Sequence, residues 1–364
     1  MSLRLFVAAL LSLVVACGGT TPAATSAAPS AAGIKDLPTT DLVRYEGADR
    51  QQILEAGAKK EGKVVWYTSL AGDVIDRHAE AFQQKYPYLK VEIFRGNESE
   101  LLTKATQELQ AGQPSFDVLE SQITAISLLF DAKGLTSYYS PSAAKVGDDF
   151  KTKDTGSLIK SATDRVSLIS FGYNTTLIPE SALPKKLEDL LNPALSGKLQ
   201  VVGSNSGQRW LGSVLFSMGD EKGRQFLNQL AAQQKVKVQQ VSGQALLDLV
   251  AKGEVPASFS IFKDHVDLAA AQKKAPVKWI PLEPVIGNTG QAAMASGGKN
   301  PHAALLFIDY LLGDAGVKVF HDNQYTVASD KFDFKVWVPE KGKTTAEIDK
   351  DTKLWGDLFK QIFR

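Results

Sequence analysis

Residues 61–70 read Glu61-Gly62-Lys63-Val64-Val65-Trp66-Tyr67-Thr68-Ser69-Leu70, and they decide the fold class. Glu61-Gly62 is a turn signal. The apolar run Val64 to Tyr67 is short, continuous and rich in β-branched and aromatic side chains, which predicts a strand buried on both faces. From Asp73 the period changes: Ile75, Ala79, Phe82 and Tyr86 mark one face of a helix. Thr68 and Ser69 therefore stand where the C-terminal end of a strand meets the free N–H groups of a helix, the usual ligand position of an open α/β sheet. The same two residues also suit plain helix capping.

The pattern continues outward from this unit. Lys90 to Phe94 alternates as a second strand, and Asn97-Glu98-Ser99-Glu100 predicts a capped helix carrying Leu102, Ala105 and Leu109 inward. Phe116 to Leu119 reads as a third strand ending in Glu120 and Ser121, followed by a helix from Gln122 to Asp131. β-α-β-α-β implies a parallel sheet with right-handed crossovers. Further on, Val166 to Tyr173 is the next strand signal. Leu199 to Val202 then runs into the polar loop Gly203-Ser204-Asn205-Ser206-Gly207-Gln208-Arg209 and a helix, a second strand–loop–helix unit. Ala257 to Ile261, Val277 to Pro281 and Gln291 to Ala295 read as strands, Asn300-Pro301-His302 as a helix start with Asn300 as cap, and Trp355, Leu358, Phe359 and Ile362 as one face of a last helix.

The chain has 364 residues, 44% hydrophobic and 22% charged, with a formal net charge of +1. That length suggests two domains of an ordinary globular protein. The charge balance gives no footprint for nucleic acid or a polybasic membrane contact.

At the N-terminus, Leu5 to Ala16 is an apolar run of signal-peptide length behind the basic Arg4. It ends in Val14-Val15-Ala16-Cys17-Gly18-Gly19, which resembles a bacterial lipobox with Val14 in place of the favoured leucine. Cys17 is the single cysteine and has no internal partner for a disulfide. The expectation is a signal peptide over residues 1–16, a lipidated Cys17, and a Gly/Ser/Thr/Ala/Pro-rich flexible tether over residues 17–44. A secretory peptide with an incidental cysteine is the plainer alternative.

Five phrases in order then resemble the family 1 extracellular solute-binding proteins, in the branch that includes ferric-ion-binding proteins. They are residues 61–70, Phe82-Gln83-Gln84-Lys85-Tyr86-Pro87, Ala111-Gly112 through Phe116-Asp117-Val118, Gly172-Tyr173-Asn174, and Asn300 to Ala304 with Phe307 to Leu312. The resemblance implies a two-lobed periplasmic-binding-protein fold (type II): α/β lobes of mixed, mainly parallel sheet flanked by helices and joined by crossover strands. It implies lobe 1 over residues 45–135 with 285–330 and lobe 2 over residues 136–284 with 331–364. Crossovers are expected near Asp117–Ser121, Gly134–Tyr138 and Glu283–Gly287. The implied activity is capture of a small-molecule solute by a monomeric lipoprotein. Delivery is to an ABC transporter permease, and neither a cofactor nor catalysis by this chain is involved.

Loops at the strand ends should line the cleft. The first lobe offers Thr68, Ser69, Asn97, Glu120 and Ser121; the second offers Ser204, Ser206, Gly207, Arg209, Asp264 and His265, with Tyr173. Gly203 to Gly207 opens a helix and suits an anion. Arg209 is a candidate clamp for carboxylate or phosphate, or else a surface ion pair. His265 is a candidate ligand or an exposed helix-start histidine.

Ferric relatives use a tyrosine pair in the segment that here reads Phe259 to His265 without tyrosine; Tyr138-Tyr139 lies elsewhere. Small anionic organic solutes are therefore the expected cargo, with ferric iron as the alternative. Trp66, Tyr67, Glu120 and Asp264 keep a cationic solute open. A secreted hydrolase is disfavoured: Asn205 occupies the centre of Gly203 to Gly207 where a nucleophilic serine would sit, and the four histidines are widely separated. A ligand sensor would share the same fold.

Overall fold

A computed structural model describes residues 35–70 and 72–363. The signal-like segment and Cys17 lie outside the described residues, as does most of the expected tether. Its last part does not behave as a tether. Thr39–Leu42 is a short helix, and Leu42 and Val43 are buried in the first core, because these two apolar residues find a packing surface.

Twelve strands join in one sheet among the described residues. They are β1 (Lys63–Thr68), β2 (Lys90–Arg95), β3 (Val118–Ser121), β4 (Leu135–Thr136), β5 (Lys151–Lys153) and β6 (Ile159–Asn174), then β7 (Leu199–Val202), β8 (Lys237–Gln239), β9 (Ala257–Phe262), β10 (Val277–Ile280), β11 (Val285–Ala295) and β12 (Val336–Trp337). The path is β2-β1-β3-β11-β6-β9-β7-β8. At one end β1 runs parallel to β2 and β3; at the other β7 runs parallel to β8 and β9. Between them β6 and β11 pair antiparallel, from Ile286↔Ile169 to Ala292↔Ala162 with one bulge. Two parallel α/β lobes thus share two long antiparallel strands.

β6 explains how one strand serves both lobes. Its 16 residues extend roughly 50 Å at the usual rise per residue. Ala162, Val166 and Leu168 pack in the core containing Trp66, Phe82 and Phe307. Ile169, Phe171 and Tyr173 pack in the core containing Trp210, Phe259 and Trp355. Two smaller clusters cover the opposite surfaces, one around Tyr67, Phe116 and Leu129, the other around Leu247, Ile261 and Val266.

Several expectations change. The long crossing strands are β6 and β11. Asp117–Ser121, expected as a crossover, includes β3, which pairs with β1 and β11 inside the first sheet region. Tyr138, Ala143, Val146 and Ile159, expected in the second lobe, pack in the first core. Phe332 and Phe334 also lean on the first core, and the chain reaches the second only around Trp337. β6 starts at Ile159, ahead of the expected Val166, because the polar Asp164 and Arg165, which break the apolar pattern, are buried within the strand.

Local signals held where side chains close their own hydrogen bonds. The Asn97 side chain accepts from Glu100 N–H, and the Glu100 carboxylate accepts from Asn97 N–H, completing a capping box on helix Glu98–Gln110. Such a cap contributes about 1 kcal/mol. Asn300 makes no side-chain cap; its amide donates to Asp117 Oδ2 at 2.8 Å. The free N–H groups of His302 and Ala303 are instead taken by the Glu61 carboxylate, at 3.1 and 2.8 Å.

Candidate functional site

The sheet delivers its polar residues at strand ends. β1 and β3 are parallel, with Thr68 opposite Glu120, so both side chains emerge at one edge. Glu120 is fully buried and collects donors. Thr68 Oγ1 donates to its Oε2 at 2.7 Å, Ser69 N–H at 2.9 Å, Ser69 Oγ at 3.2 Å and Leu70 N–H at 3.2 Å. The turn after β1 is therefore wrapped on a carboxylate from the neighbouring strand.

The counter-charge is Arg165, which the sequence reading did not single out. Its Nη2 lies 3.0 Å from Glu120 Oε1 and donates to Ser69 Oγ at 3.1 Å. Gly290 makes room for the pair: a Cβ there would fall 2.2 Å from Glu120 Oε1 and 2.9 Å from Arg165. Burial opposes the Arg165 charge, but Glu120, Asp164, Tyr325 and Asp264 outweigh it and hold the guanidinium above its ordinary pKa. The adjacent Asp164 is buried with neither carboxyl oxygen hydrogen-bonded. Burial, with Glu120 adding, pushes it well above its ordinary value. Burial and the Asp264 charge push Tyr325 up to about 12. The signal for Arg165 was present as Asp164-Arg165, two charged residues set directly before the strand signal Val166 to Tyr173.

From the second lobe, β7 and β9 are adjacent and parallel, and Val202 N–H donates to Ser260 Oγ at 2.9 Å. The loops after them, carrying Ser204–Gly207 and Asp264–His265, are therefore neighbours at one sheet edge. Helix Asn205–Met218 starts against β7: a Cβ on Gly207 would fall 2.0 Å from Val202 O, so only glycine allows this approach. Ser204 is exposed and makes no side-chain cap, while Ser206 is buried. Asp264 is 3% exposed and its Oδ1 has no hydrogen-bond partner. His265 is about a quarter exposed at the side chain, with Nε2 3.9 Å from Asp264 Oδ2.

Other expected residues have different tasks. Arg209 is not an open clamp: its Nη2 pairs with Glu340 from the C-terminal segment, and both are buried. Burial holds Arg209 down to about 10, with the Glu98 charge of the first lobe opposing. Its Nη1 has no partner. Asn97 spends its side chain on capping. Ser121 is buried in β3, its hydroxyl 3.4 Å from Gln122 Oε1. Tyr173 lies at the far end of β6, opposite Ala257 and Lys278, and packs in the second core. The structure thus brings Thr68, Ser69, Glu120, Arg165 and Asp264 towards one locus and Ser204, Ser206 and Gly207 beside it, but leaves Tyr173 out.

Beside this locus a cavity of about 750 Å³ opens between the lobes. Lys263 and Trp279 line it from the second lobe, Tyr325 and Gln324 from the first, and Phe332 and Phe334 from the following segment. The size suits a small organic molecule. Among the described residues, no group of three His, Cys, Asp or Glu side chains is arranged to hold a metal ion. Tyr138 is fully buried and donates to Ala292 O at 2.9 Å.

Residues 68–318 match the sequence profile described as "Bacterial extracellular solute-binding protein". No functionally curated protein matched the chain. Among solved structures, iron-bound HitA from Pseudomonas aeruginosa is similar at 21% identity and a TM-score of 0.64, over 81% of this chain and 99% of that one. AfuA from Actinobacillus pleuropneumoniae, solved with exogenous fructose-6-phosphate, is similar at 19% identity and a TM-score of 0.63, over 82% and 99%. Trichodesmium FutA with iron and citrate ligands is similar at 16% identity and a TM-score of 0.65, over 83% and 99%. At these identities the likeness is one of fold: two-lobed periplasmic binding proteins.

Proposed function

Because the chain belongs to the bacterial extracellular solute-binding protein family, we propose that it captures a small solute between its two lobes and delivers it to the permease of an ABC importer. The observation that carries this reading is the meeting of strand-end loops from both lobes around the buried Arg165–Glu120 pair, beside a cavity open to both. Binding there couples to lobe closure if the solute touches both sides, since a ligand shifts such an equilibrium only by its differential affinity for the closed state. The start of helix Asn205–Met218 is proposed to receive an anionic group, because Ser204 is exposed and its side chain makes no cap, leaving the first N–H groups of the helix without one. Arg209 supports that helix through Glu340 and is not assigned to the solute. Anchoring at Cys17 would hold the body at the outer face of the cytoplasmic membrane or at the cell surface, as a monomer beside its permease.

The test is a thermal-shift screen of the purified full chain against a solute library that includes ferric citrate. A solute at about 100 times its dissociation constant adds roughly 2.7 kcal/mol to stability, a clear rise in melting temperature. A hit that the substitutions Ser204→Asp and Trp279→Ala each weaken, with the fold retained by circular dichroism, supports a solute held between the lobes. A hit insensitive to both puts it elsewhere, and failure of every solute counts against the receptor reading.

A further inference from the structure

Residues 338–346 join β12 to the last helix, Thr345–Ile362, and they hold on to both lobes. Glu340 pairs with Arg209, one turn into helix Asn205–Met218 of the second lobe, and both side chains are buried. The next residue, Lys341, pairs with Asp149 of the first lobe, whose neighbour Phe150 leans on the first core. Further on, Thr345 Oγ1 donates to Asp131 Oδ2 at 3.1 Å, at the end of helix Ile123–Asp131 of the first lobe. The last helix then returns to the second lobe, where Trp355, Leu358 and Phe359 are buried. The two sides of this crossing are unequal. On the second lobe it is held by a buried ion pair and an apolar helix face, both costly to break. On the first lobe it is held by polar contacts open to water. Lys341 and Asp149 are 50% and 71% exposed at the side chain, and such pairs are weak. Lobe motion therefore breaks the first-lobe contacts and leaves residues 338–346 on the second lobe.

The crossing lies on the strand-end side of the lobes. Helices Glu98–Gln110 and Ile123–Asp131 follow β2 and β3, and helix Asn205–Met218 follows β7, so all three begin at the strand ends that lead into Ser69, Glu120 and Ser204. Ile123 and Val338 line a cavity of about 350 Å³ with Asp149, Lys341 and Gly342. Glu98, in the first turn of its helix on the first lobe, carries a charge felt at Arg209. Parting the lobes takes Glu98 and Asp149 away from Arg209, Glu340 and Lys341 together.

We propose that residues 338–346 are a strap that holds the lobes together and sets how readily they open, with Lys341–Asp149 as its releasable contact. This rests on the lobe closure proposed above and goes beyond it, because the strap biases the balance of open and closed forms through residues not assigned to the solute. Neighbouring charges are already matched: Asp148 is met by Lys151 and Lys153, and Lys343 by Asp351. Lys341 and Asp149 are left for each other.

The experiment measures the distance between spin labels at Gln107→Cys in the first lobe and Gln225→Cys in the second, both exposed helix positions. The full chain carries Cys17→Ser, so that no other thiol reacts. Three proteins are compared: the native strap, Lys341→Glu, and Lys341→Glu with Asp149→Lys. The expected result is a rise of about threefold or more in the ratio of long to short distances in Lys341→Glu, reversed in the charge-swapped protein. Two populations in an unchanged ratio, a shift toward the short distance, or a rise that the swap does not reverse overturns the strap and leaves lobe closure standing. A single distance shared by all three proteins overturns both the strap and the closing lobes.

Discussion

Replacing Glu120 by Gln tests whether the ion pair at the lobe junction organises the site. The amide keeps the size of the side chain and one oxygen able to accept from Ser69 and Leu70 N–H. It removes the charge opposite Arg165 at 3.0 Å, and the two side chains are 0% and 5% exposed. Little solvent is available to screen the loss, so the surface-pair value of under about 1 kcal/mol does not apply. Breaking a buried pair from one side costs about 3–5 kcal/mol, because a charge stays buried without its partner. At about 1–2 °C per kcal/mol for a chain of 364 residues, the melting temperature should fall by roughly 5 °C by calorimetry. A loss below about 1 kcal/mol would refute the reasoning, since Arg165 would then be reaching water. The double replacement Glu120→Leu with Arg165→Met supplies the control: removing both charges should recover much of the loss.

Three further outcomes follow from other residues. His78 is buried among Trp66, Tyr310 and Phe320, and burial holds it down to about 3. The unfolded state therefore takes up its proton first as pH falls below about 6.5, costing about 2 kcal/mol between pH 7 and pH 5; His78→Phe should flatten the urea midpoint across that window, and an unchanged slope would assign the acid sensitivity to other groups. Glu340→Gln leaves Arg209 buried without its pair, so a loss of about 3 kcal/mol is expected in chemical denaturation, whereas a neutral effect would show that Glu98 suffices. Cys17→Ser should release the protein from the membrane fraction on cell fractionation; continued retention would reject lipidation.

The elements whose identity depends on neighbours in the chain were legible in the sequence. β1 announced itself through Val64 to Tyr67, and helix Glu98–Gln110 through Asn97 and Glu100, because a strand's apolar run and a capping box are local facts. Ser204, Asp264 and Glu120 were placed at strand ends by the same logic. What the sequence by itself determined is therefore the succession of strand–loop–helix units, and with it the α/β class and the loops that gather at a sheet edge.

Which of those polar residues face a solute was decided only in three dimensions. Arg165 sits inside a strand, and nothing local says that Glu120, 45 positions earlier, waits across the sheet to pair with it. Arg209 reads as an open clamp until Glu340, 131 positions away, takes its guanidinium. Tyr173 reads as a strand-end residue, yet β6 runs on far enough to carry it to the distal end of the second lobe. The physical reason is common to all three. Burial makes a charge depend on its partner, and partners across a sheet are set by strand order and register, which no local pattern encodes.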